Sequence, residues 1–388
     1  MDKLGVAVIG VGRWGLNLLR ALGDFDTCRV VCVHDGSEER AAKAAAALPG
    51  VEIASTYDEL LADTRVQAVL LATPPETHGP MAGLALEAGR HVFVEKPMAT
   101  SLADALALER TARRHNCLVM AGHLLKFHGG VATLRQIVAQ GQLGHVEFAL
   151  SRRIGWRASD RCGPWWSLAP HDLSVLRGAL GAEPEQIAAA ACLPATPSRN
   201  PVRKVLGGSQ PPPSMRCPQR VLAAASFQGP TATTSALIDV GLLDESKMRR
   251  VILIGRRAMA RFEDGPEGGI WIRPSRHGLD ISPLPLPDVN LNSDIAIRFL
   301  ETVENATRGD GWNRVDAEWP DALRTELRQF IAACQNPKFA RVEMDDALAI
   351  MRVLEAGARS MREGGRTMNV PKAARPIPGE MDGIQGSL

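Results

Sequence analysis

Three stretches of this chain carry side chains able to do chemistry. His91-Val92-Phe93-Val94-Glu95-Lys96-Pro97 is an apolar strand that ends on an acid, an amine and a proline. Open α/β sheets bind ligands beyond the carboxyl ends of their strands. Lys96 is therefore a candidate positive charge at such an edge, with Glu95 beside it. The second stretch, Ser167-Leu168-Ala169-Pro170-His171-Asp172, offers His171. An imidazole with a pKa near ~6.5 exchanges protons at neutral pH. The third, Gly10-Val11-Gly12-Arg13-Trp14-Gly15, is a G-x-G-x-x-G turn. Hydride transfer from a secondary alcohol needs these parts: a bound nicotinamide, a base for the hydroxyl proton, and a positive charge at the developing oxygen anion.

The elements around the glycine turn give it weight. Gly5–Ile9 reads as a buried strand and 16–22 as a helix; Arg29–His34 reads as a second strand ending at Asp35, twenty residues after Gly15. Strand, glycine turn, helix, strand, acid is the order in which a pyrophosphate sits on a helix N-terminus and a carboxylate meets the adenosine ribose. Gly10, Gly12, Arg13, Trp14, Gly15 and Asp35 are accordingly candidate cofactor contacts. Asp35 repels a 2′-phosphate and favours NAD; Ser37 and Arg40 just beyond soften that preference and leave NADP open.

The pattern continues through a strand over 67–72, the rigid loop Thr73-Pro74-Pro75-Glu76-Thr77-His78, a helix over 79–88, the Glu95-Lys96-Pro97 strand, a helix over 102–115, and a strand over 117–121 before Gly122-His123. Thr73 and Pro74 are placed to line the nicotinamide half of the cleft. His78 either lines it with them or caps the following helix. Strands alternating with helices in this way make a doubly wound dinucleotide domain over 1–124.

These residues carry a resemblance. Gly10-x-Gly12-x-x-Gly15, Ala72-Thr73-Pro74-Pro75-x-x-His78, Glu95-Lys96-Pro97 and Gly122-His123 stand in the order seen in the glucose-fructose oxidoreductase / inositol dehydrogenase / rhizopine-catabolism family (Gfo/Idh/MocA). The Gly12-x-Trp14-Gly15 turn resembles the amino-sugar and nucleotide-sugar branch. The resemblance implies a Rossmann domain followed by an α+β domain with a large, open, mostly antiparallel sheet. It implies an oxidoreductase of ring secondary alcohols in sugars, amino sugars, nucleotide sugars or cyclitols. It also implies assembly through the outer sheet face, as a homodimer or homotetramer. In the branch it resembles, the acid–base His is preceded by an assisting Asp four residues earlier; here His171 takes the His position and Ser167 the Asp position. A hydroxyl orients an imidazole but does not stabilise its charged form as a carboxylate does. Two other readings follow from that change: a dinucleotide-binding regulator without turnover, and a biosynthetic imine or ketone reductase.

The second domain, 125–370, opens with a helix over 126–140 and an alternating strand over 144–152. A Trp/Gly/Arg-rich loop over 155–166 follows, and Pro170 is expected in the first turn of the next helix. His123, Arg153, Trp165, Ser167 and His171 are candidate substrate contacts, and the Trp cluster of Trp156, Trp165 and Trp166 suits a polyol or sugar. Asp172 projects about 100° around the helix from His171 and reads as structural. Strands are expected over 186–192, 220–227, 231–240, 250–254 and 258–263, then helices over 322–334 and 344–361. The Pro/Gly/Ser/Arg-rich 193–219, with Arg199, Arg203, Lys204 and Arg216, reads as a mobile insertion, and 371–388 as a disordered tail.

Bulk properties bound the rest. The 388 residues suffice for two domains. The net charge of +2, with bases and acids interspersed, gives no footprint for nucleic acid or a membrane surface. No apolar run reaches the ~20 residues that span a bilayer. The seven Cys are scattered without a Cys-x-x-Cys pair, so neither a metal site nor a disulfide framework is expected and a cytoplasmic location is.

Overall fold

The computed structural model describes residues 3–155, 162–192, 218–229, 233–242, 247–265, 268–275 and 291–372. Trp156, the bases Arg199, Arg203, Lys204 and Arg216 of the expected insertion, and the tail from residue 373 lie outside the described residues.

In the first domain β1 (Leu4–Ile9), α1 (Arg13–Gly23), β2 (Cys28–His34), α2 (Glu38–Ala47), β3 (Glu52–Ile53), α3 (Tyr57–Ala62), β4 (Ala68–Leu71), α4 (Pro75–Glu87), β5 (His91–Glu95), α5 (Leu102–Arg114) and β6 (Val119–Gly122) alternate. The strands pair in parallel in the order β3-β2-β1-β4-β5-β6. β1 and β4 are buried along their whole length, because helices cover both faces of a parallel sheet. Ser37, Thr56 and Ser101 cap α2, α3 and α5 by accepting from the N–H three residues on. The strand order reverses between β1 and β4, which puts the ligand crevice at the ends of β1, β4 and β5. α4 begins at Pro75, not Gly79: proline suits a first turn, where no N–H is required.

The elements that follow are α6 (Gly129–Ala139), β7 (Val146–Ile154), α7 (Gly163–Leu180), β8 (Glu183–Cys192), β9 (Arg220–Gln228), β10 (Thr233–Gly241), β11 (Met248–Gly255), β12 (Ala258–Glu263), β13 (Gly269–Pro274), α8 (Ser293–Thr307), β14 (Asn313–Val315), α9 (Ala322–Gln335), α10 (Pro337–Arg362) and β15 (Met368–Asn369), which build a second sheet. Its sheet runs β14-β13-β12-β11-β7-β10-β9-β8-β15, and every described pairing is antiparallel except β10 with β7.

Strict alternation divides this sheet between two cores. Ile187, Ala189, Val221, Ala223, Ile238, Val251 and Leu253 pack inward with α7 and α10. Their neighbours Ala188, Leu222, Leu237, Ile252 and Ile254 pack outward under Ala296, Leu300 and Val303 of α8. A period of two puts successive side chains on opposite faces. α8, not anticipated from the sequence, therefore covers apolar outer surface that the resemblance gives to a second subunit; an interface on that face must lie beside the helix. α9 returns to the first domain, where Phe330 meets Phe93 edge-on at 5.5 Å.

Two expectations in this domain are corrected. α7 starts at Gly163, so Pro170 lies inside the helix and not at its start. Pro164 occupies the first turn, and the buried face of α7 holds the helix together across Pro170. Trp165, expected to face substrate, is a core residue. Its ring is 2% exposed, its indole N–H donates to Leu354 O at 2.8 Å, and it lies so close to α10 that a Cβ added at Gly357 would fall 2.2 Å from it. Trp165→Ala should cost about 3–5 kcal/mol, as large-to-small changes in packed cores do. Urea unfolding measures this; a loss below about 1 kcal/mol would contradict the packing described.

Candidate active site

The glycine turn is shaped by contact on two sides and open on the third. Gly10 adopts φ +81°, and a Cβ there would lie 2.8 Å from the Ala72 carbonyl. At Gly15 it would lie 2.0 Å from Gly10 O, so only hydrogen lets α1 approach β1 this closely. At Gly12 it would meet nothing within 4 Å. That open space lies at the N-terminus of α1, whose N-cap makes no side-chain bond. Unpaired N–H groups and the positive dipole end thus face an opening that suits a phosphate. Arg13 and Trp14 are exposed on the same turn.

Asp35 closes the far side. Its carboxylate accepts from Val11 N at 2.9 Å and Ser37 N at 2.8 Å, and from the Arg40 guanidinium at 2.7 Å. Burial raises its pKa, but those hydrogen bonds outweigh burial and hold the carboxyl below its usual range. A charged Asp35 remains available to ribose hydroxyls, and Arg40 supplies a cation at the same place. The glycine turn and Asp35 together fit a dinucleotide.

Toward the other end, the Trp14 indole donates to the Glu95 carboxylate. Desolvation pushes Glu95 up to about 7, against the pull of that bond and of Lys96. Thr73 accepts from the Thr77 hydroxyl, and Pro74 is the N-cap of α4. His78 neither lines the cleft nor caps α4. It is 1% exposed, with one ring nitrogen 2.8 Å from Pro97 O and the other 2.8 Å from Thr73 O. Its position braces the two loops that carry Thr73 and Lys96.

Lys96, His123 and His171 converge beyond the ends of β5 and β6. Lys96 Nζ donates to Ser167 O at 2.8 Å, linking the first domain to α7. Pro170, in the same stretch of helix, offers no N–H to the Trp166 carbonyl, so the intrahelical ladder is incomplete there. His123 follows β6, and His171 lies on α7 one turn beyond Ser167. Both imidazoles are pushed toward neutrality, first by burial and then by surrounding cations. His123 falls to about 3, with Lys126 and Arg177 next in effect; His171 falls well below 6.5, with Lys96, Arg153 and His123 next. Each has a buried Nδ1 without a hydrogen-bond partner.

The Ser167 substitution now has a structural meaning. Its hydroxyl donates to Gly163 O at 2.7 Å, one turn back, and leaves His171 Nδ1 unserved. Arg153, expected to contact substrate, is instead committed to Asp172 at 3.1 Å and Asp264 at 2.9 Å. Two buried carboxylates are the natural counterions of a buried guanidinium. Asp172 also accepts from Ser151 and is structural. Lys126, Arg177 and Asp346 were not singled out from the sequence. Asp346, on α10, pairs with Lys126 at 2.5 Å and Arg177 at 3.3 Å beside His123, joining groups too far apart in the chain for spacing to relate them.

Residues 4–123 match the sequence model of the Gfo/Idh/MocA family, an oxidoreductase family with an NAD-binding Rossmann fold. The match lies in the first domain, which is similar to the NAD-binding domain of that family. Among similar proteins is a 2,7-anhydro-N-acetylneuraminate hydratase of Mediterraneibacter gnavus, 29% identical over 48% of this chain and 52% of that protein. Another is an inositol 2-dehydrogenase of Mycolicibacterium smegmatis, 35% identical over 37% of this chain and 42% of that protein. The chain spans about half the length of the curated relatives it matches. A 3-ketoreductase from Actinomadura kijaniata, solved with NADP and TDP-benzene, shares the fold across both domains, with TM-score 0.72 and 17% identity over 94% of this chain and 98% of that one. No described helix is long and apolar enough to cross a membrane.

A histidine whose folded pKa lies below its unfolded value lets the unfolded chain take up protons first as pH falls. The stability is whole above about 6.5 and drains away toward the folded value. For His123, with a folded pKa of about 3, wild type should lose about 1.5 kcal/mol more than His123→Gln between pH 6.5 and pH 5. Urea midpoints at both pH values test this, and equal losses would contradict it.

Proposed function

We propose that this protein is an NAD(P)-dependent oxidoreductase that moves a hydride between a ring CH–OH of a sugar, amino sugar, nucleotide sugar or cyclitol and the nicotinamide. The observation that carries the reading is the gathering of one ammonium and two neutral imidazoles beyond β5 and β6, beside an open glycine turn. The nicotinamide, when bound, supplies the hydride acceptor. Gly10, Gly12, Arg13, Trp14, Gly15 and Asp35 hold the adenosine and pyrophosphate half; Thr73, Pro74, Glu95 and Lys96 border the other half. His78 fixes their loops from behind.

His171, neutral at physiological pH, receives the hydroxyl proton on its imidazole. Lys96 places its charge at the same oxygen, which lowers the basicity demanded of His171. His123 offers a second neutral ring to a substrate hydroxyl, and Ser167 contributes its carbonyl by holding Lys96. The sugar-directed and cyclitol-directed relatives support the substrate class. Asp35 favours NAD, with Arg40 moderating its repulsion of a 2′-phosphate. The six described cysteines are all unpaired, which supports a reducing, cytoplasmic setting.

The test is turnover across a panel of sugars, nucleotide sugars and cyclitols with NAD and NADP, alongside calorimetric titration of NADH and NADPH. His171→Ala should lower the rate by ~10²–10⁴ and Lys96→Ala by at least ~10², with NADH affinity unchanged. Tight NADH binding with no turnover across the panel would instead favour a dinucleotide-binding regulator. Tighter NADPH than NADH binding would refute the cofactor preference.

A further inference from the structure

The outer face of the second sheet carries a charged pocket that this reaction does not use. A cavity of about 250 Å³ opens between β7, β11, β12 and the C-terminal end of α8, and Arg152, Arg250, Arg261, Arg308, Glu304 and Trp312 line it. Four guanidinium groups thus share a wall with one carboxylate. That carboxylate is already engaged, because Glu304 pairs with Arg152, which also donates to the buried Asp239 at 2.8 Å. Arg250 is paired from behind by Glu263 at 2.8 Å.

Arg261 is the least satisfied of the four. Its Nε is buried without a hydrogen-bond partner, and the Glu263 carboxylate stands 3.5 Å away, beyond good geometry. Its guanidinium is held between Trp271 and Trp312, at 4.6 and 4.9 Å from the ring centroids. Ring contacts orient a guanidinium yet satisfy none of its N–H groups. Side-chain exposures of 11% for Arg152 and 23% for Arg261 show that water does not fully solvate these charges. The negative end of the α8 dipole does not serve them either. Arg273 covers it, donating to Arg308 O at 3.1 Å and Ala306 O at 3.2 Å. Arg308 stands exposed at the rim.

We propose that this pocket binds a compact oxyanion of the phosphate class. Guanidinium forks match such oxygens in pairs, and the cavity is smaller than those that hold drug-sized ligands. Arg261 and Arg308 supply the N–H groups not already used, and Arg152 and Arg250 add charge from the sheet. Arg152 faces this pocket, whereas its neighbour Arg153 faces the His171 side, so one strand separates the two sites.

Calorimetric titration of the full chain with inorganic phosphate and with pyrophosphate, at constant ionic strength and with saturating NADH to occupy the glycine turn, tests the assignment. We expect saturable binding that Arg261→Gln and Arg308→Gln each weaken at least tenfold, with NADH affinity unchanged. Arg308 is exposed, so its variant reads the pocket even if Arg261→Gln disturbs folding. Absence of saturable binding, or binding that both variants leave intact, would overturn the proposal. So would self-association in sedimentation that the variants abolish while phosphate does not bind, since the pocket then takes a carboxylate from a second copy.

Discussion

The bond from Lys96 Nζ to Ser167 O is the contact on which the site depends. It joins the end of β5 to the second turn of α7 and fixes where an ammonium stands relative to two imidazoles. A charge in a buried setting acts on every titratable neighbour, because little water screens it. Lys96 is among the cations that depress both His123 and His171. The same charge that would steady an alkoxide therefore also helps keep the base unprotonated. His78, Trp14 and Glu95 hold the surrounding loops in register with it.

Arginine placement repeats this logic on a larger scale. Arg153 is buried but matched by Asp172 and Asp264, so it stabilises the wall of the cleft and adds to the potential at His171. Arg152, one residue earlier on the same strand, points to the opposite face and meets Asp239 and Glu304. The pleat of β7 separates two charged environments by the thickness of one sheet. One is balanced by buried carboxylates; the other holds more guanidinium than its lining carboxylate can match.

Much of the first domain was legible in the residues. The apolar runs at β1, β4 and β5, the glycine turn and Asp35 are local signals, each within a few residues of its partner. Lys96 could be placed because a strand end fixes direction as well as position. The second domain was harder. α7 was expected to begin at Pro170, since proline usually marks a first turn; tertiary packing held the helix through it. Trp165 was expected to face sugar, and only the close approach of α10 at Gly357 reveals it as core. Arg153 and His78 look like functional polar residues in one dimension. Their partners, Asp264 and Pro97, lie too far along the chain, or in too irregular a loop, for any period to reveal them. α8 and Asp346 carried no recognisable signal beyond ordinary amphipathic spacing.

The central claim is that His171 is neutral because it is buried among cations led by Lys96, with no carboxylate at position 167 to counter them. The pH dependence of the His171 ¹³Cε1 resonance, identified by its loss in His171→Gln, tests this directly. The account predicts a resonance still at its neutral position at pH 6.5, where an ordinary imidazole is half protonated. Lys96→Ala and Ser167→Asp should each move the titration upward. A wild-type resonance that titrates near 6.5, or one indifferent to both substitutions, would contradict it.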